Sequence, residues 1–290
     1  MSVNAMAAVD IGTNSTRLLI ADQDGNALLR RTVVTGLGRR VAETGRLHAE
    51  GRAVTLETLE RYRELIGDHD VTIARAVATA VGRNASDVGA FLDDAADALG
   101  VRPEVITGEE EAALSFAGAV SDLGPGDWTV VDIGGGSTEI VTKAGGHSYE
   151  IGSVKLTDRH LVARPVELER LEAARLTVRN HLGSRQTDRS EIVGVAGTWT
   201  SLAGLSLGRY DPDEVHHYRL TRQDVTRWID RLSQLSVEET AALPGFDPAR
   251  APVILGGTIV AEQVMIGLGA EACLVSERDL LDGIVIGLRR

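Results

Sequence analysis

The chain has 290 residues, of which 43% are hydrophobic, 25% charged and 3% aromatic, and its formal net charge at pH 7 is −12. This length suits about two domains, and the negative charge argues against a general nucleic-acid-binding protein, because such domains usually carry a basic face. A single cysteine, the lack of a signal-peptide pattern and the lack of any run of about 18 apolar residues predict a cytoplasmic protein without disulfides or a membrane span.

The first half of the chain predicts two turns between three strands, followed by alternating helices and strands. Short apolar and β-branched runs between turn residues predict strands, and apolar residues at helical spacing predict helices. The predicted strands are 6–11, 16–21, 27–35, 71–78 and 103–107, and the predicted helices are 53–67, 86–99 and 109–120. Ser86 is the predicted N-cap of the second helix.

A cluster of turn residues, Gly124-Pro125-Gly126-Asp127, is the best boundary signal in the sequence. It divides the chain into predicted domains at 1–123 and 124–290. The second domain is predicted to contain strands at 128–133, 137–143 and 191–195, helices at 166–183, 197–207, 221–235 and 257–268, and a closing strand and helix over 272–290.

The two halves share a short repeat. Asp-Ile-Gly-Thr-Asn-Ser-Thr-Arg-Leu-Leu at 10–19 aligns without a gap with Asp-Ile-Gly-Gly-Gly-Ser-Thr-Glu-Ile-Val at 132–141. In both, a predicted strand turns through glycine and hydroxyl residues, which offer a phosphate close backbone approach, N–H groups and hydroxyl donors. The aspartates at 10 and 132 suit Mg²⁺, which prefers oxygen ligands. The alternatives are two phosphate-binding hairpins or a chance match of two glycine-containing turns.

Other known phosphate-binding patterns do not fit these hairpins. The sequence has no G-x-x-x-x-G-K-[ST] motif, which excludes a P-loop protein. It has no G-x-G-x-x-G after the first strand, which argues against a dinucleotide site of the Rossmann type. The second glycine turn precedes a β-branched run, so it predicts a hairpin.

Three adjacent carboxylates, Glu109 to Glu111, stand where a strand is predicted to give way to a helix. Acidic residues in a first helical turn complement the helix dipole, which gives them a purely structural explanation. The functional alternative is that one of them orients or deprotonates a water that attacks phosphorus. Crowding by like charges raises the pKa of a carboxylate and would suit such a base.

Several other side chains have competing explanations. His216 and His217 would point to opposite faces of a strand, which argues against a shared metal. Cys273 is predicted to be a small buried side chain and not a nucleophile. Trp199 is predicted either to line the site or to pack a helix. The basic stretch 175–189 is either a solvated helix face or a track for a polyanion.

Seven segments in order carry a resemblance that spans nearly the whole chain: 7–15, 78–83, 107–112, 131–139, 151–157, 194–198 and 275–283. They resemble the motifs of the exopolyphosphatase/guanosine pentaphosphate phosphohydrolase (Ppx/GppA) family. The resemblance implies an α/β fold of two ribonuclease-H-like lobes, as in the actin-like, Hsp70 and sugar-kinase fold, with the active site in an interdomain cleft. It also implies a homodimer.

The resemblance assigns roles to individual residues. It implies that Glu110 is the base for the attacking water and that Glu139 is the second catalytic acid. Asp10, Asp132 and Glu139 are implied to hold Mg²⁺, with another divalent cation or K⁺ as alternatives. The implied phosphate-binding residues are Gly12, Thr13, Asn14, Ser15, Arg83, Gly134, Gly135, Gly136, Ser137, Thr138 and Lys155.

The predicted function is that of an exopolyphosphatase, which removes terminal orthophosphate from inorganic polyphosphate. Guanosine pentaphosphate is the alternative substrate, and a small-molecule kinase or a non-catalytic sensor of polyphosphate or nucleotides are alternatives of other classes. Three residues depart from the family pattern: Gly36 in place of a common Arg, Ala80 in place of Ser, and Lys155 in place of Arg. The first and third alter anion contacts and so the expected chain-length preference, and Gly36 and Ala80 keep the sensor alternative open. Lysine does not reproduce the two-pronged contact of arginine with an anion.

Overall fold

The computed structural model describes residues 5–183 and 192–289. The chain divides into two compact units, one of Met1–Ser121 with Arg278–Arg290 and the other of Asp122–Glu277. Each unit contains one mixed β-sheet flanked by helices, so the predicted α/β class is confirmed. Among the described residues, no helix is both long enough and apolar enough to cross a membrane.

The first unit is built on a five-stranded sheet with the strand order β3-β2-β1-β4-β5. Strands β1, β2 and β3 form an antiparallel meander, and β4 and β5 run parallel to β1. The elements are β1 (Ala5–Ile11), β2 (Ser15–Ala21), β3 (Ala27–Val34), α1 (Val41–Thr44), α2 (Ala49–Asp68), β4 (Val71–Ala78), α3 (Ala80–Asn84), α4 (Val88–Leu99), β5 (Glu104–Val105) and α5 (Gly108–Ala119).

The second unit is built on a six-stranded sheet with the strand order β10-β11-β9-β6-β7-β8. Its elements are β6 (Thr129–Ile133), β7 (Thr138–Thr142), β8 (Gly145–Tyr149), α6 (Ser153–His160), α7 (Leu168–Leu182), β9 (Ile192–Val195), α8 (Gly197–Leu207), α9 (Pro212–Val215), β10 (Arg219–Thr221), α10 (Arg222–Ser233), α11 (Val237–Ala241), a 3₁₀ helix (Pro248–Arg250), α12 (Ile254–Gly267) and β11 (Ala272–Val275). Helix α12 is mostly apolar and is buried from Ile254 to Met265, as expected of a core helix.

The last helix, α13 (Leu280–Leu288), packs against α5 in the first unit. Glycines allow their backbones to approach closely. A Cβ atom on Gly118 of α5 would lie 1.8 Å from the carbonyl oxygen of Asp279, and one on Gly283 would lie 2.0 Å from that of Leu114. The two helices therefore have no room for larger side chains at these positions.

The domain division predicted from the sequence needs correction at its C-terminal end. Residues 278–290 were assigned to the second domain, but they cluster with the first unit, and the boundary lies between Ser121 and Asp122. The physical reason is a shared apolar core under β1. This core joins residues between positions 6 and 106 with residues of α13. Its buried members are Met6, Ala8, Leu19, Ala21, Val77, Ile106, Leu280, Leu281, Ile284 and Val285.

The contact between α5 and α13 leads to a stability prediction. Gly118→Ala is expected to lower the free energy of unfolding by about 1–3 kcal/mol, since overpacking forces the backbone to move. The matched control is Gly89→Ala on α4, where a Cβ would meet no atom of the described residues within 4 Å. Gly89→Ala should raise the free energy of unfolding by about 0.5–1 kcal/mol, because alanine has a higher helix propensity than glycine. Urea unfolding measures both, and equal effects would contradict the packing argument.

Local capping changed two predicted helix starts. Helix α2 begins four residues earlier than predicted, at Ala49, because the Nδ1 atom of His48 accepts a hydrogen bond from the Gly51 backbone at 3.2 Å. The prediction that Ser86 caps α4 is wrong: Asp87 is the N-cap, and Ser86 donates to the carbonyl of Gly45 through both its backbone and its hydroxyl. The predicted strand at 191–195 is described from Ile192 onward.

The structure buries both Trp199 and Cys273 in the core of the second unit. Trp199 is fully buried in the core, so it packs a helix. Cys273 is also fully buried, which confirms the predicted small buried side chain, and burial raises the pKa of its thiol well above the ordinary value. The basic stretch 175–189 is only partly described: Arg175 forms a bidentate ion pair with Glu262, while Arg185 and Arg189 lie outside the described residues.

The burial of Cys273 predicts its reactivity. A thiol reagent such as Ellman's should not react with the folded protein, because reaction needs an accessible thiolate. The same reagent should titrate one thiol in denaturant. Fast reaction of the folded protein would contradict the buried position.

Candidate active site

The two repeated segments fold into the same hairpin. In the first, between β1 and β2, the Gly12 backbone N–H donates to the Ser15 carbonyl at 2.9 Å. In the second, between β6 and β7, the Gly134 N–H donates to the Ser137 carbonyl at 3.0 Å. The strand registers also match, because position 10 pairs with 17 and position 132 with 139. We name residues 12–15 the first loop and residues 134–138 the second loop.

The first loop rests on the segment after β3. The Asn14 carbonyl accepts hydrogen bonds from the backbone of Thr35 and Gly36, and the Thr13 carbonyl accepts one from Gly38. Gly38 packs so closely that a Cβ atom there would lie 2.3 Å from the Thr13 methyl carbon. Backbone hydrogen bonds from the segment after β3 therefore fix the position of the first loop.

The second loop rests on the start of α6. Its Gly134 carbonyl accepts from the Ser153 backbone at 2.9 Å, and its Gly135 carbonyl accepts from Val154 and Lys155 at 2.9 and 3.2 Å. A Cβ atom on Gly152 would lie 2.6 Å from the Gly134 oxygen, so glycine is needed there. This contact gives the segment 151–157 a role in holding the loop.

Asp10 ends β1 as a buried carboxylate with one oxygen in an ion pair. Its Oδ2 accepts from Arg17 at 2.8 and 2.7 Å. Its Oδ1 is buried and makes no hydrogen bond with any residue that the structure describes. Burial raises the pKa of Asp10, although the Arg17 charge opposes that shift. A buried carboxylate oxygen of this kind fits a cation that prefers oxygen ligands.

The acids of the second hairpin are also buried. Asp132 is 5% exposed at the end of β6, and Glu139 is fully buried on β7 opposite it. The Glu139 Oε1 accepts a hydrogen bond from the Ser148 hydroxyl at 2.6 Å, across the β7–β8 pair. Ser148 was missed in the sequence because β8 contains two glycines and gives a weak strand signal.

The three glutamates at the start of α5 have different surroundings. Thr107 caps the helix by accepting from the Glu110 backbone at 3.1 Å. The Glu110 side chain is 43% exposed and pairs with Arg75 at 2.6 Å, and Arg75 also pairs with Glu104. Consecutive side chains of a helix point about 100° apart, so Glu110 and Glu111 contact different neighbouring residues.

Glu111, and not Glu110, contacts the predicted phosphate-binding arginine. Its side chain is 9% exposed, and its Oε2 lies 2.9 Å from Arg83 Nη1. The same nitrogen donates to the Ile106 carbonyl at 3.0 Å. The Nη2 of Arg83 is buried and has no hydrogen-bond partner in the described part of the chain, so this guanidinium retains donors for an anion.

Sheet topology brings the groups of the first unit to one edge. β1, β4 and β5 are parallel neighbours, with Ile11 opposite Ala78 and Ala78 opposite Val105. Their carboxyl ends lead into the first loop, into α3 with Arg83, and into α5 with Glu111. The carboxyl edge of parallel strands is where ligands bind in open α/β sheets.

Lys155, another predicted phosphate ligand, stands in an ion pair on α6. Its Nζ lies 2.5 Å from the Oε2 of Glu150, whose side chain is 54% exposed. Binding of an anion by Lys155 therefore requires exchange of this surface carboxylate for the ligand.

His216 and His217 are placed differently from the sequence prediction. They lie between α9 and β10 and not in a strand, and His217 has a positive φ of 63°. Their rings stack with centroids 3.8 Å apart, so they share one side of the backbone.

Repeated glycine and hydroxyl loops beside buried carboxylates are the arrangement expected of an α/β protein that handles phosphate groups. A model of the Ppx/GppA phosphatase family matches residues 8–289. Exopolyphosphatase 2 of Mycobacterium tuberculosis is 39% identical, with 99% of each chain covered. The chain belongs to the Ppx/GppA phosphatase family.

Solved structures agree with this assignment. An exopolyphosphatase-like protein is 32% identical and superposes with a TM-score of 0.91 over 99% of both chains. A Ppx/GppA family member from Aquifex aeolicus is 32% identical, with a TM-score of 0.81 over 99% of this chain and 97% of its own. The predicted family and fold class are thereby confirmed.

Proposed function

We propose that the protein is an exopolyphosphatase, which hydrolyses the terminal phosphoanhydride of inorganic polyphosphate and releases orthophosphate. The observation that carries this proposal is the 39% identity to Exopolyphosphatase 2 over 99% of both chains. The duplicated loops support it, because their glycines and hydroxyl groups suit a chain of phosphates.

We propose Glu111 as the general base, in place of the Glu110 that the family resemblance implied. Its carboxylate is buried beside Arg83 at 2.9 Å, whereas Glu110 is half exposed and paired with Arg75. In the reaction the Glu111 carboxylate takes a proton from water, and the water oxygen forms a bond to the terminal phosphorus. The bond between that phosphorus and the bridging oxygen breaks, and the shortened polyphosphate leaves.

Arg83 supports this step in two ways. Its Nη1 holds the Glu111 carboxylate, and its buried Nη2 is a donor for a phosphate oxygen. An arginine in this position places the attacked phosphate near the base and offsets its negative charge. The backbone and hydroxyl groups of the first loop, in the same unit as Arg83, would bind further phosphates, and the second loop offers the same groups in the other unit.

The buried carboxylates fit a divalent cation. The candidate ligands for Mg²⁺, or another divalent cation, are Asp10 in the first unit and Asp132 and Glu139 in the second, and K⁺ is an alternative at the phosphate chain. When bound, such a cation neutralises charge on phosphate oxygens. The buried Oδ1 of Asp10 and the Ser148 contact that orients Glu139 support this assignment.

The test is orthophosphate release by the purified protein with Mg²⁺, measured in parallel on long-chain polyphosphate, short polyphosphates, guanosine pentaphosphate and ATP. We expect release from polyphosphate, and EDTA should abolish it. Faster release from guanosine pentaphosphate than from polyphosphate would identify guanosine pentaphosphate as the substrate, since both compounds end in a phosphoanhydride bond. No release from any of the four would refute the proposed activity.

We further propose that the protein acts as a homodimer in the cytoplasm. The dimer follows from the family resemblance, and the single, buried Cys273 suits a reducing compartment. Sedimentation velocity of the full chain tests the dimer, and a monomer at micromolar concentration would contradict it.

A further inference from the structure

We propose that Asp122, His216 and His217 form a second metal site, for a first-row transition ion of the Zn²⁺ type. The Nε2 of His216 lies 2.7 Å from the Oδ2 of Asp122, and the Nε2 of His217 lies 3.8 Å from the same oxygen. One ligand atom from each of the three residues lies within 4.8 Å of the others. All three residues belong to the second unit, and none of them has a role in the proposed hydrolysis.

The distances suit one small ion. Zinc binds histidine nitrogen and carboxylate oxygen at about 2.0–2.2 Å, so two ligands of a tetrahedral site lie about 3.4 Å apart. Binding would lengthen the 2.7 Å contact between Asp122 and His216 and shorten the 3.8 Å contact of His217. Both changes are below 1 Å in size, which side-chain rotation supplies.

The ligand types select the class of metal. Two imidazoles with one carboxylate suit Zn²⁺, Co²⁺, Ni²⁺ or Cu²⁺, whereas Mg²⁺ and Ca²⁺ prefer oxygen ligands alone. The side chains of Asp122, His216 and His217 are 20%, 24% and 40% exposed. Water therefore reaches the cluster and can complete four-coordination, as in zinc sites with three protein ligands.

The backbone arranges the two histidines in advance. In an extended strand their side chains would diverge, but the left-handed conformation of His217, with φ of 63°, turns its ring onto that of His216. The His217 N–H fixes this turn by donating to the Val275 carbonyl at 2.7 Å. The two rings therefore lie on one side of the backbone, and binding of both to one ion requires them to tilt out of the stack, because each imidazole binds a metal in its own ring plane.

One hydrogen bond opposes the ion and gives the proposal a specific signature. The Nδ1 of His216 accepts from the Glu277 backbone N–H at 3.2 Å, so the ring proton of the neutral side chain is on Nε2 and faces Asp122. An ion on Nε2 requires that proton to move to Nδ1. Metal binding must then break the Glu277 contact, and the His216 ring must change tautomer.

The experiment titrates the full chain with Zn²⁺ or Co²⁺ in the presence of excess Mg²⁺, which occupies sites made of oxygen ligands. We expect one equivalent to bind by calorimetry, visible d–d absorption with Co²⁺, and a shift of the His216 proton from Nε2 to Nδ1 in ¹⁵N spectra with Zn²⁺. Asp122→Asn, His216→Gln and His217→Gln should each weaken binding by about tenfold or more.

His147→Gln is the matched control, because His147 is an exposed histidine of the same unit outside the cluster. It should leave the affinity unchanged. The proposal is overturned if no stoichiometric binding occurs, or if the affinity survives substitution of the cluster. If His216→Gln fails to fold, the test rests on His217→Gln, because His217 is the most exposed of the three ligands and its substitution disturbs the fold least. The phosphohydrolase rate plays no part in this test, so the two proposals fail independently.

Discussion

Glu111→Gln is expected to reduce orthophosphate release from polyphosphate by about 10²–10⁴-fold, the usual contribution of a general base. Glutamine keeps the size of the side chain and a hydrogen bond to Arg83, so the fold and polyphosphate binding should persist. The measurement is the turnover rate at saturating substrate, together with a binding titration of the variant. Retained binding with lost turnover distinguishes a base from a residue that only holds the structure.

Glu110→Gln is the matched control for this prediction, since it makes the same chemical change one residue away on the same helix. The Glu110 side chain pairs with Arg75 at a half-exposed position, so its loss should have a small effect on turnover. If Glu110→Gln is the inactive variant and Glu111→Gln retains its rate, the role implied by the family resemblance is right and our assignment to Glu111 is refuted.

Arg17→Met should lower the free energy of unfolding by about 3–5 kcal/mol, because it removes the ion-pair partner of the buried Asp10 carboxylate, whereas Asp279 also pairs with Arg30 at 3.5 Å. Arg17 is the shared partner of Asp10 and Asp279, and the three side chains are only 15%, 4% and 8% exposed. Urea unfolding measures the loss. Arg31→Met on the neighbouring strand β3 is the control, since Arg31 is exposed, and its effect should be within about 0.5 kcal/mol.

The loss caused by Arg17→Met should depend on pH. Burial already raises the pKa of Asp10 against the opposing charge of Arg17, and removal of that charge raises the pKa further. A folded-state pKa above the unfolded one means that ionisation opposes folding. The destabilisation should therefore be full above the raised pKa and should shrink as the pH falls below it. A loss of equal size at all pH values would contradict the electrostatic explanation.

Local patterns in the sequence were enough to predict both hairpins. A strand, a turn of glycine and hydroxyl residues and a second strand stand next to one another in each repeat, so all the information lies within about ten residues. The same holds for α12, whose mostly apolar sequence already indicates burial. The strand predicted at 103–107 contains β5, which has only two residues, whereas β10, with three residues, has too little pattern to detect.

Features that depend on distant contacts were not predictable. The choice between Glu110 and Glu111 depends on which way α5 is rotated, and the Thr107 cap and the contact with Arg83 determine that rotation. The stacked pair at 216–217 depends on one backbone conformation, which Val275 holds from almost 60 residues away. The partner of α13 lies more than 160 residues earlier in the chain, at α5.

The position of α13 also affects the order in which the protein folds as it leaves the ribosome. Domains generally fold as units during synthesis, with the N-terminal one first. Here the first unit lacks Leu280, Leu281, Ile284 and Val285 of its core until all of Asp122–Glu277 has been translated. The second unit is continuous and can complete its core earlier. The nascent chain must therefore carry an unfinished N-terminal sheet, which exposes apolar surface to chaperones, through most of its synthesis.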